Sequence, residues 1–467
     1  MLDPLFRIAN GLLDRLCATK RPLLYAIIAV VAVHLLLMPF CVEYDINFWS
    51  YVTRNLRAGY GLYELDGYYY TPVWGYLISF MNEVETNLIP AFGVTAVRVF
   101  EALGVETISD TYFTTATIVS LSFAYLVKMP LMVSNIVMAY LVYWLIKDRT
   151  GSDRKAILGF CLTGFCPIIL GTTCLTGMPD TFSATFLLLT IVFIRKDRML
   201  LAGTSFAIAV LTKFFPIFVL PLIIVYVLRR KETGAFRDLT IAAAGVVLMS
   251  VIILLPAYLE GNLMSCFQFL TDRASAGIVV NVSAPLADVF SAGSDGGSSV
   301  LDAMISKSRV IAYAAVLLAG AVLAVKMYGI EPSKMDESFL KRCFLVLVLC
   351  MLYPPAPQYV VVMLPFLAYH LVVTDRRYSV SWLILAVSAF LFVPITNGLV
   401  LMTLAEWTPL LSVDTAMGIF DWYQNTVFGL TYMDVQYYTG GAIQYAGILA
   451  ALAVYVTGSK WMKDRKS

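Results

Sequence analysis

The sequence YDINFWSYVTRNLRAGYGLYELDGYYYTP, residues 44–72, follows the first long apolar run of the chain. It is too polar to cross a bilayer, but apolar side chains recur in it at helical spacing, at Phe48, Trp49, Val52 and Leu56. This pattern predicts an amphipathic helix over 46–58 that lies along a membrane surface. Further amphipathic pieces lie near 90–104 and 112–121. Asp45 stands immediately before the predicted helix, where the chain leaves the membrane.

The composition places most of the chain in lipid. Of the 467 residues, 60% are hydrophobic and 14% are charged, and the mean hydropathy is +0.80. Soluble domains carry about 25% charged residues. Because a spanning helix needs roughly 20 apolar residues, the sequence predicts an all-α polytopic membrane protein with about twelve spans. The formal net charge of +2 gives no indication of a nucleic-acid partner.

The apolar runs divide the chain into two modules. The first, residues 1–235, holds spans one to six and the outer segment 42–121. The second, residues 236–467, is looser in pattern and holds the outer segments 257–308 and 401–439. The predicted spans cover about 23–41, 122–146, 156–173, 181–195, 199–212, 215–229, 239–256, 309–326, 380–400 and 440–458, and two more flank 353–359.

Lysine and arginine residues are distributed unevenly between the loops. Most of the 33 fall into clusters that alternate with loops poor in basic residues. Because basic loops stay in the cytoplasm, both termini are predicted to be cytoplasmic and the outer segments to face the other side. The short loops favour the plasma membrane of a prokaryote; in a eukaryote the outer segments would face the lumen of the endoplasmic reticulum. The clusters are Arg7–Arg21, Lys147–Lys155, Arg195–Arg198, Arg229–Arg237, Lys326–Arg342, Arg376–Arg377 and Lys460–Lys466.

Two interpretations fit Asp45. A carboxylate at the exit of a span can act as a general base that takes a proton from an acceptor hydroxyl while a sugar is transferred. Asp is also a favoured N-cap residue, so Asp45 can instead cap the helix 46–58. Asp180, which precedes the fourth span, has the same ambiguity between a substrate-binding group and a cap.

Basic residues at the outer ends of spans are candidates for binding a phosphate. Lys128, Lys213 and Arg273 can neutralise a phosphate leaving group, because cations stabilise the negative charge that develops there. For Lys213 the alternative is a lysine that snorkels from a hairpin tip. The eight cysteines and two histidines show no metal-ligand spacing, so no metal and no cofactor are predicted. The substrate-binding candidates on the same side are Asp180, Tyr70, Gln358 and Tyr359.

In order and spacing these features resemble the GT-C glycosyltransferases. They are most similar to the enzymes that use polyprenyl- or dolichyl-phosphate mannose, such as GPI mannosyltransferase I. The resemblance covers most of residues 20–230 and a short piece near 353–370, and this chain has Asn47 where the GPI enzymes carry a second Asp. The residues that carry it are Asp45, Gly59–Tyr63, Tyr70–Pro72, Lys128–Pro130 and Leu211–Pro216.

The resemblance implies a GT-C-type fold and an inverting single displacement from a polyprenyl-phosphate-linked sugar, with mannose as the expected sugar. Asp45 would act as the base, and basic residues would receive the lipid phosphate. The acceptor would be a hydroxyl of a glycan, glycolipid or glycoprotein on the extracytoplasmic face. A lipid or sugar transporter or flippase is the alternative, but transporters place binding groups near the midplane and often show two related halves. A relative that only binds lipid is a third possibility.

Overall fold

The computed structural model of the protein describes residues 3–41, 43–65, 68, 70–88, 119, 121–231, 233–267, 298–352, 357–392, 398–426 and 440–464. All regular secondary structure in these ranges is helical, which confirms the predicted all-α class. The amphipathic pieces predicted near 90–104 and 112–121 lie almost wholly outside the described residues, and so does Arg273.

The α-helices follow one another along the chain with short π and 3₁₀ segments between some of them. The π-helix is Gly171–Thr176, and the 3₁₀ helices are Phe215–Val219, Pro357–Met363 and Gly398–Leu401. The α-helices are α1 Asp3–Cys17, α2 Pro22–Leu37, α3 Glu43–Arg57, α4 Pro72–Leu88, α5 Leu121–Thr150, α6 Asp153–Gly164, α7 Pro167–Leu170, α8 Asp180–Arg195, α9 Met199–Thr212, α10 Leu220–Arg230, α11 Ala235–Leu259, α12 Ser298–Tyr328, α13 Pro332–Cys350, α14 Leu364–Val373, α15 Tyr378–Phe392, α16 Met402–Trp407, α17 Val413–Thr426 and α18 Gly441–Asp464.

Several of these helices are long and apolar enough to cross a membrane. Among the described residues, α5, α11, 311–328 of α12 and 441–458 of α18 meet that test by length and composition. The pair formed by α6 and 167–176, bent by 44°, makes a fifth candidate. Other apolar helices are shorter, including α2 and α9. The count of about twelve spans therefore stays a prediction.

The structure corrects the helix predicted over 46–58. This helix, α3, begins at Glu43, so Asp45 lies in its first turn and not at its N-cap. An acidic residue in a first turn is still stabilised by the helix dipole. The interpretation of Asp45 as the cap of a helix that starts at residue 46 is therefore wrong.

The largest hydrophobic cluster spans both predicted modules. It includes buried side chains of α5, α8 and α10 together with side chains of α13 and α14, such as Leu188, Leu222, Phe344 and Leu367. In the described residues the core thus runs across position 235 without a break. The division of the chain at that position stays a prediction.

Charged residues of the predicted cytoplasmic clusters meet at one end of the helices, called the basic end below. Arg195 Nη2 lies 2.8 Å from a carboxylate oxygen of Asp148 and 2.8 Å from one of Asp336. Tyr226 donates to Asp336 at 2.6 Å, and Arg230 donates to the Arg195 carbonyl at 2.7 Å. Further ion pairs at this end are Lys147–Asp153, Arg149–Glu337, Arg154–Asp14, Arg230–Asp197 and Lys231–Asp238.

Two glycines let α9 and α11 approach each other closely. A Cβ atom at Gly203 would overlap the carbonyl oxygen of Ala242, and one at Gly245 would overlap that of Leu200. Helices in membranes commonly associate through small residues in this way, because lipid offers no hydrophobic driving force for their contact. The outer face of α11 remains exposed and apolar, as expected for a helix that faces lipid.

This close approach predicts that Gly203→Val destabilises the protein. The added side chain meets backbone that has no room to move, and overpacking of this kind costs about 1–3 kcal/mol or more. We expect a lower apparent melting temperature for the purified protein in detergent. Gly11→Val is the matched control, because a Cβ atom at Gly11 meets nothing within 4 Å. Equal melting temperatures for the two variants would contradict the packing described.

Candidate active site

A break between two helices places Lys213 in the interior. Its backbone is extended, with φ −147° and ψ 135°, between the end of α9 and the 3₁₀ helix Phe215–Val219. The side chain is 8% exposed, and Nζ lies 3.7 Å from Oδ1 of Asp180, whose side chain is 4% exposed. A buried ion pair is stable only when both charges are well compensated. The prediction that these two residues lie on the same side of the protein is consistent with this arrangement.

Two tyrosine rings also lie close to the Lys213 ammonium group. Nζ lies 4.7 Å from the ring centroid of Tyr70 and 4.6 Å from that of Tyr359. Both distances fall within the range of cation–π attraction, which is stronger where water is excluded. These four residues, Lys213, Asp180, Tyr70 and Tyr359, are called the Lys213 cluster below. Tyr70, which is half-buried, therefore contacts a buried charge.

Asp180 begins α8 without capping it. The N-cap of α8 is Pro179, and no side chain makes a capping hydrogen bond there, so the cap interpretation of Asp180 is wrong. Its Oδ1 faces Lys213, while Oδ2 is buried and accepts no hydrogen bond from the described part of the chain. Buried polar atoms in proteins nearly always form a hydrogen bond, so an unbonded carboxylate oxygen is unusual. Oδ2 is thus positioned to accept a hydrogen bond from a bound molecule.

The juxtamembrane helix α3 is hydrogen-bonded to the loop before Asp180. Trp49, fully buried, donates from Nε1 to the carbonyl of Gly177 at 3.0 Å. Gly177 has φ +65°, and a Cβ atom there would lie 2.7 Å from Ile46 Cδ1. Glycine is favoured chiefly by this backbone conformation, which other residues rarely adopt, and any side chain would also require Ile46 to shift. The same loop thereby positions α3 and the start of α8.

The segment after α3 is hydrogen-bonded to α9 and to the loop before Asp180. Thr71 donates from Oγ1 to the carbonyl of Leu211, two residues before Lys213. Tyr70 donates from its hydroxyl to Met178 Sδ at 3.5 Å, and its own carbonyl accepts from Tyr63 at 3.0 Å. The Tyr70 ring is therefore held at the cluster by bonds on both sides.

Lys128 does not join this cluster. It is fully buried in α5, and Nζ donates to the carbonyls of Met38 at 2.7 Å and Phe40 at 3.0 Å and to Cys41 Sγ at 3.2 Å. An ammonium group has three hydrogens, and these three acceptors occupy them. The predicted phosphate-binding role of Lys128 stays a prediction, and the contacts observed are with the end of the first span.

The remaining predicted residues are only partly placed. Gln358 is half-buried beside Tyr359 in the 3₁₀ helix Pro357–Met363. The side chain of Asp45 and the whole of Arg273 lie outside the part of the chain that the structure describes. Within the described residues, no three His, Cys, Asp or Glu side chains are grouped so that they could hold a metal ion.

Sequence reasoning missed the contacts that assemble the site. Gly177 was visible as part of Gly-Met-Pro-Asp, but its positive φ and its bond with Trp49 were not inferred. A glycine that follows a helix and precedes a proline is a recognised sign of a helix end. No signal in the sequence singles out Thr71 as the residue that bonds to α9.

The family follows from comparison with known proteins. A model for glycosyltransferase family 87 matches residues 111–355, which include both Asp180 and Lys213. The chain belongs to glycosyltransferase family 87. It is a glycosyltransferase of the GT-C type and an integral membrane protein, so the resemblance to the GT-C enzymes is confirmed.

One solved structure extends over most of the chain. It is ArnT from Cupriavidus metallidurans bound to undecaprenyl phosphate, with 12% sequence identity and a TM-score of 0.47 over 93% of this chain and 78% of that one. A similarity of this size says nothing about the substrate of the present glycosyltransferase. No curated protein matches the sequence.

The buried pair in the Lys213 cluster predicts a non-additive effect on stability. Asp180→Asn or Lys213→Met alone leaves one buried charge uncompensated, which costs about 3–5 kcal/mol. We expect the double variant to unfold at a higher temperature than either single variant. The same substitutions in the exposed pair Lys147–Asp153, 2.6 Å apart, should change stability by about 1 kcal/mol or less. Additive losses at Lys213 and Asp180 would show that the two charges do not interact.

Proposed function

We propose that this chain transfers a sugar, mannose by its sequence resemblance, from a polyprenyl-phosphate-linked donor to an acceptor hydroxyl on the extracytoplasmic face. The observation that carries the proposal is the Lys213 cluster. It joins a buried cation, a carboxylate and two aromatic rings at the helix ends opposite the basic end. A cation, a hydrogen-bond acceptor and ring faces are the groups that a sugar phosphate requires.

Lys213 is the proposed binding group for the donor phosphate. The leaving group of the reaction is a polyprenyl phosphate, which gains negative charge as the glycosidic bond breaks. A preorganised cation in a water-excluded site stabilises that charge more strongly than it would in water. Asp180 compensates the ammonium group at 3.7 Å before the donor enters, and the phosphate then takes its place as counter-ion.

The proposed sugar-binding groups surround the same ammonium group. Tyr70 and Tyr359 offer ring faces on two sides of Lys213 Nζ, and a sugar ring can pack on either. Oδ2 of Asp180 is free to accept a hydrogen bond from a sugar hydroxyl. Gln358, next to Tyr359, supplies an amide that can both donate and accept. Arg273 is kept as a further proposed phosphate-binding residue on sequence grounds alone.

Asp45 is the proposed general base. It lies in the first turn of α3, one helical turn before Trp49, which ties this helix to the loop that leads into Asp180. The carboxylate takes the proton of the acceptor hydroxyl while the oxygen bonds to C1 of the sugar. The bond from C1 to the phosphate oxygen breaks, and its electron pair leaves with the polyprenyl phosphate. One displacement of this kind inverts the configuration at C1.

The proposed orientation places the basic end in the cytoplasm and the Lys213 cluster on the outer side. Basic residues are retained on the cytoplasmic side of membranes, which supports this choice. We propose the plasma membrane of a prokaryote, with both termini cytoplasmic, and glycans, glycolipids or glycoproteins as acceptors. In a eukaryote the site would face the lumen of the endoplasmic reticulum. No cofactor is required by the step described.

Transport is the less favoured function. Transporters bind their cargo near the middle of the bilayer. The Lys213 cluster instead lies at the ends of α8 and α9, and the chain is a family 87 glycosyltransferase.

The role of Asp45 predicts that Asp45→Asn abolishes transfer. The amide cannot accept the hydroxyl proton, and loss of a general base costs about 10²–10⁴-fold in rate. The measurement is the transfer of labelled sugar from a polyprenyl-phosphate donor by the purified protein. Asp153→Asn makes the same chemical change at the basic end and should leave the rate near that of the wild type. Full activity of the Asp45 variant would remove this residue from the mechanism.

The role of Lys213 predicts a different kinetic effect. Lys213→Met, made together with Asp180→Asn to keep the site neutral, should weaken binding of a polyprenyl phosphate and raise the KM for the donor. Because a charge-assisted contact is lost, we expect a loss of about 1.5–3 kcal/mol, or about 10- to 150-fold in affinity. Unchanged affinity in the double variant would place the phosphate elsewhere.

A further inference from the structure

Three residues of α5 hold the end of the first span. Tyr125 donates to the Leu35 carbonyl at 3.0 Å, and the Asn135 amide donates to His34 Nε2 at 3.1 Å. Lys128 lies between them in sequence and bonds beyond the helix, in the connector 38–41. This connector is the short piece of chain that joins α2 to the helix bearing Asp45.

The contacts of Lys128 explain why a lysine is stable in this buried place. The carbonyls at the C-terminal end of a helix lack partners within the helix and carry partial negative charge. The Lys128 ammonium group lies against this end of α2 and donates to the carbonyls of Met38 and Phe40. Its charge is compensated there by chain dipoles and by the Cys41 thiol at 3.2 Å.

These contacts fix the point at which α3 begins. Met38, Phe40 and Cys41 all bond to one ammonium group, and the Cys41 amide also donates to the Val400 carbonyl at 3.2 Å. Asp45 follows Cys41 by four residues, so little chain separates it from the fixed connector. On its other side, Asp45 is followed one turn later by Trp49, which is bonded to the Gly177 loop.

We propose that Lys128 is a positioning residue, which holds the connector 38–41 and thereby sets the place of Asp45 relative to the Lys213 cluster. This inference rests on the proposed function, and it gives Lys128 a role other than binding the donor phosphate. A displacement of about 1 Å of a reacting group can reduce a rate by about 100-fold. Loss of the ammonium group therefore lowers kcat and leaves the binding of the donor intact.

The first experiment separates positioning from phosphate binding. Lys128→Met should lower kcat by about 30- to 100-fold, while the KM for the donor and the affinity for a polyprenyl phosphate change by less than about twofold. Lys128→Arg keeps charged donors at this place and should restore part of kcat. Tyr125→Phe removes a bond from α5 to α2 before the connector and should keep kcat within about twofold of the wild type.

Two results would overturn the inference. A loss of polyprenyl phosphate affinity in Lys128→Met that equals the loss in the Lys213→Met, Asp180→Asn variant would make Lys128 a phosphate ligand. A kcat of Lys128→Met equal to that of the wild type would show that the connector 38–41 keeps its position without the Lys128 ammonium group.

A second measurement does not depend on activity. Hydrogen–deuterium exchange should be faster in residues 38–50 of Lys128→Met than in the wild type, and unchanged in helices α9 and α10. Unchanged exchange in 38–50 would refute the positioning role. If the wild type transferred no sugar from any polyprenyl-phosphate donor, the proposed function would fail, and exchange would still decide the role of Lys128. If Lys128→Met does not fold, Lys128→Gln, which keeps an N–H donor, takes its place in both measurements.

Discussion

The site depends on the compensation of one buried charge, the ammonium group of Lys213. In an environment of low dielectric constant an isolated charge is too costly to keep, so the chain must surround it with groups of opposite or complementary charge. Asp180, Tyr70 and Tyr359 do so, and they come from three other segments of the chain. Local backbone features bring these segments together; one example is the left-handed turn at Gly177, which precedes α8.

The charged side chains are exposed at one end of the protein and buried at the other. At the basic end, ion pairs such as Lys147–Asp153 are largely exposed, and water screens them. At the Lys213 cluster the charges are buried and few. Helix α8 runs from Asp180 at the Lys213 cluster to Arg195 at the basic end, a rise of about 24 Å. The charges of the cluster are shielded from water by protein packing, and Asp180 and the two tyrosine rings compensate Lys213 there.

Much of this arrangement could be predicted from the sequence, because apolar runs of fixed length and helix breaks leave clear local signals. The end of α9 at Thr212, just before Lys213, was predicted to the residue, and α8 was predicted to begin just after Asp180, which is its first residue. The start of α3 was predicted three residues late, because Glu43, Tyr44 and Asp45 do not extend the apolar stripe that marked the helix. Helix propensity and packing determine where α3 begins, and the spacing of apolar residues carries no information about either.

The pairing of cations with acceptors could not be predicted. Lys128 and Lys213 have similar sequence signatures, a lysine in an apolar run that is followed by a proline two or three residues later. One of them contacts a carboxylate and two rings, and the other contacts backbone carbonyls of a helix end. The difference arises from which helices pack together, and a single sequence carries little information about such distant contacts.

The proposed function requires the Lys213 cluster to receive the phosphate of a lipid-linked sugar. A cryo-electron microscopy structure of the protein with a polyprenyl phosphate bound would show where that phosphate lies. We expect phosphate density within about 4 Å of Lys213 Nζ, between the rings of Tyr70 and Tyr359, with the Asp180 carboxylate displaced from the ammonium group. A phosphate bound at Lys128 or at the basic end, with the Lys213–Asp180 pair intact, would contradict it.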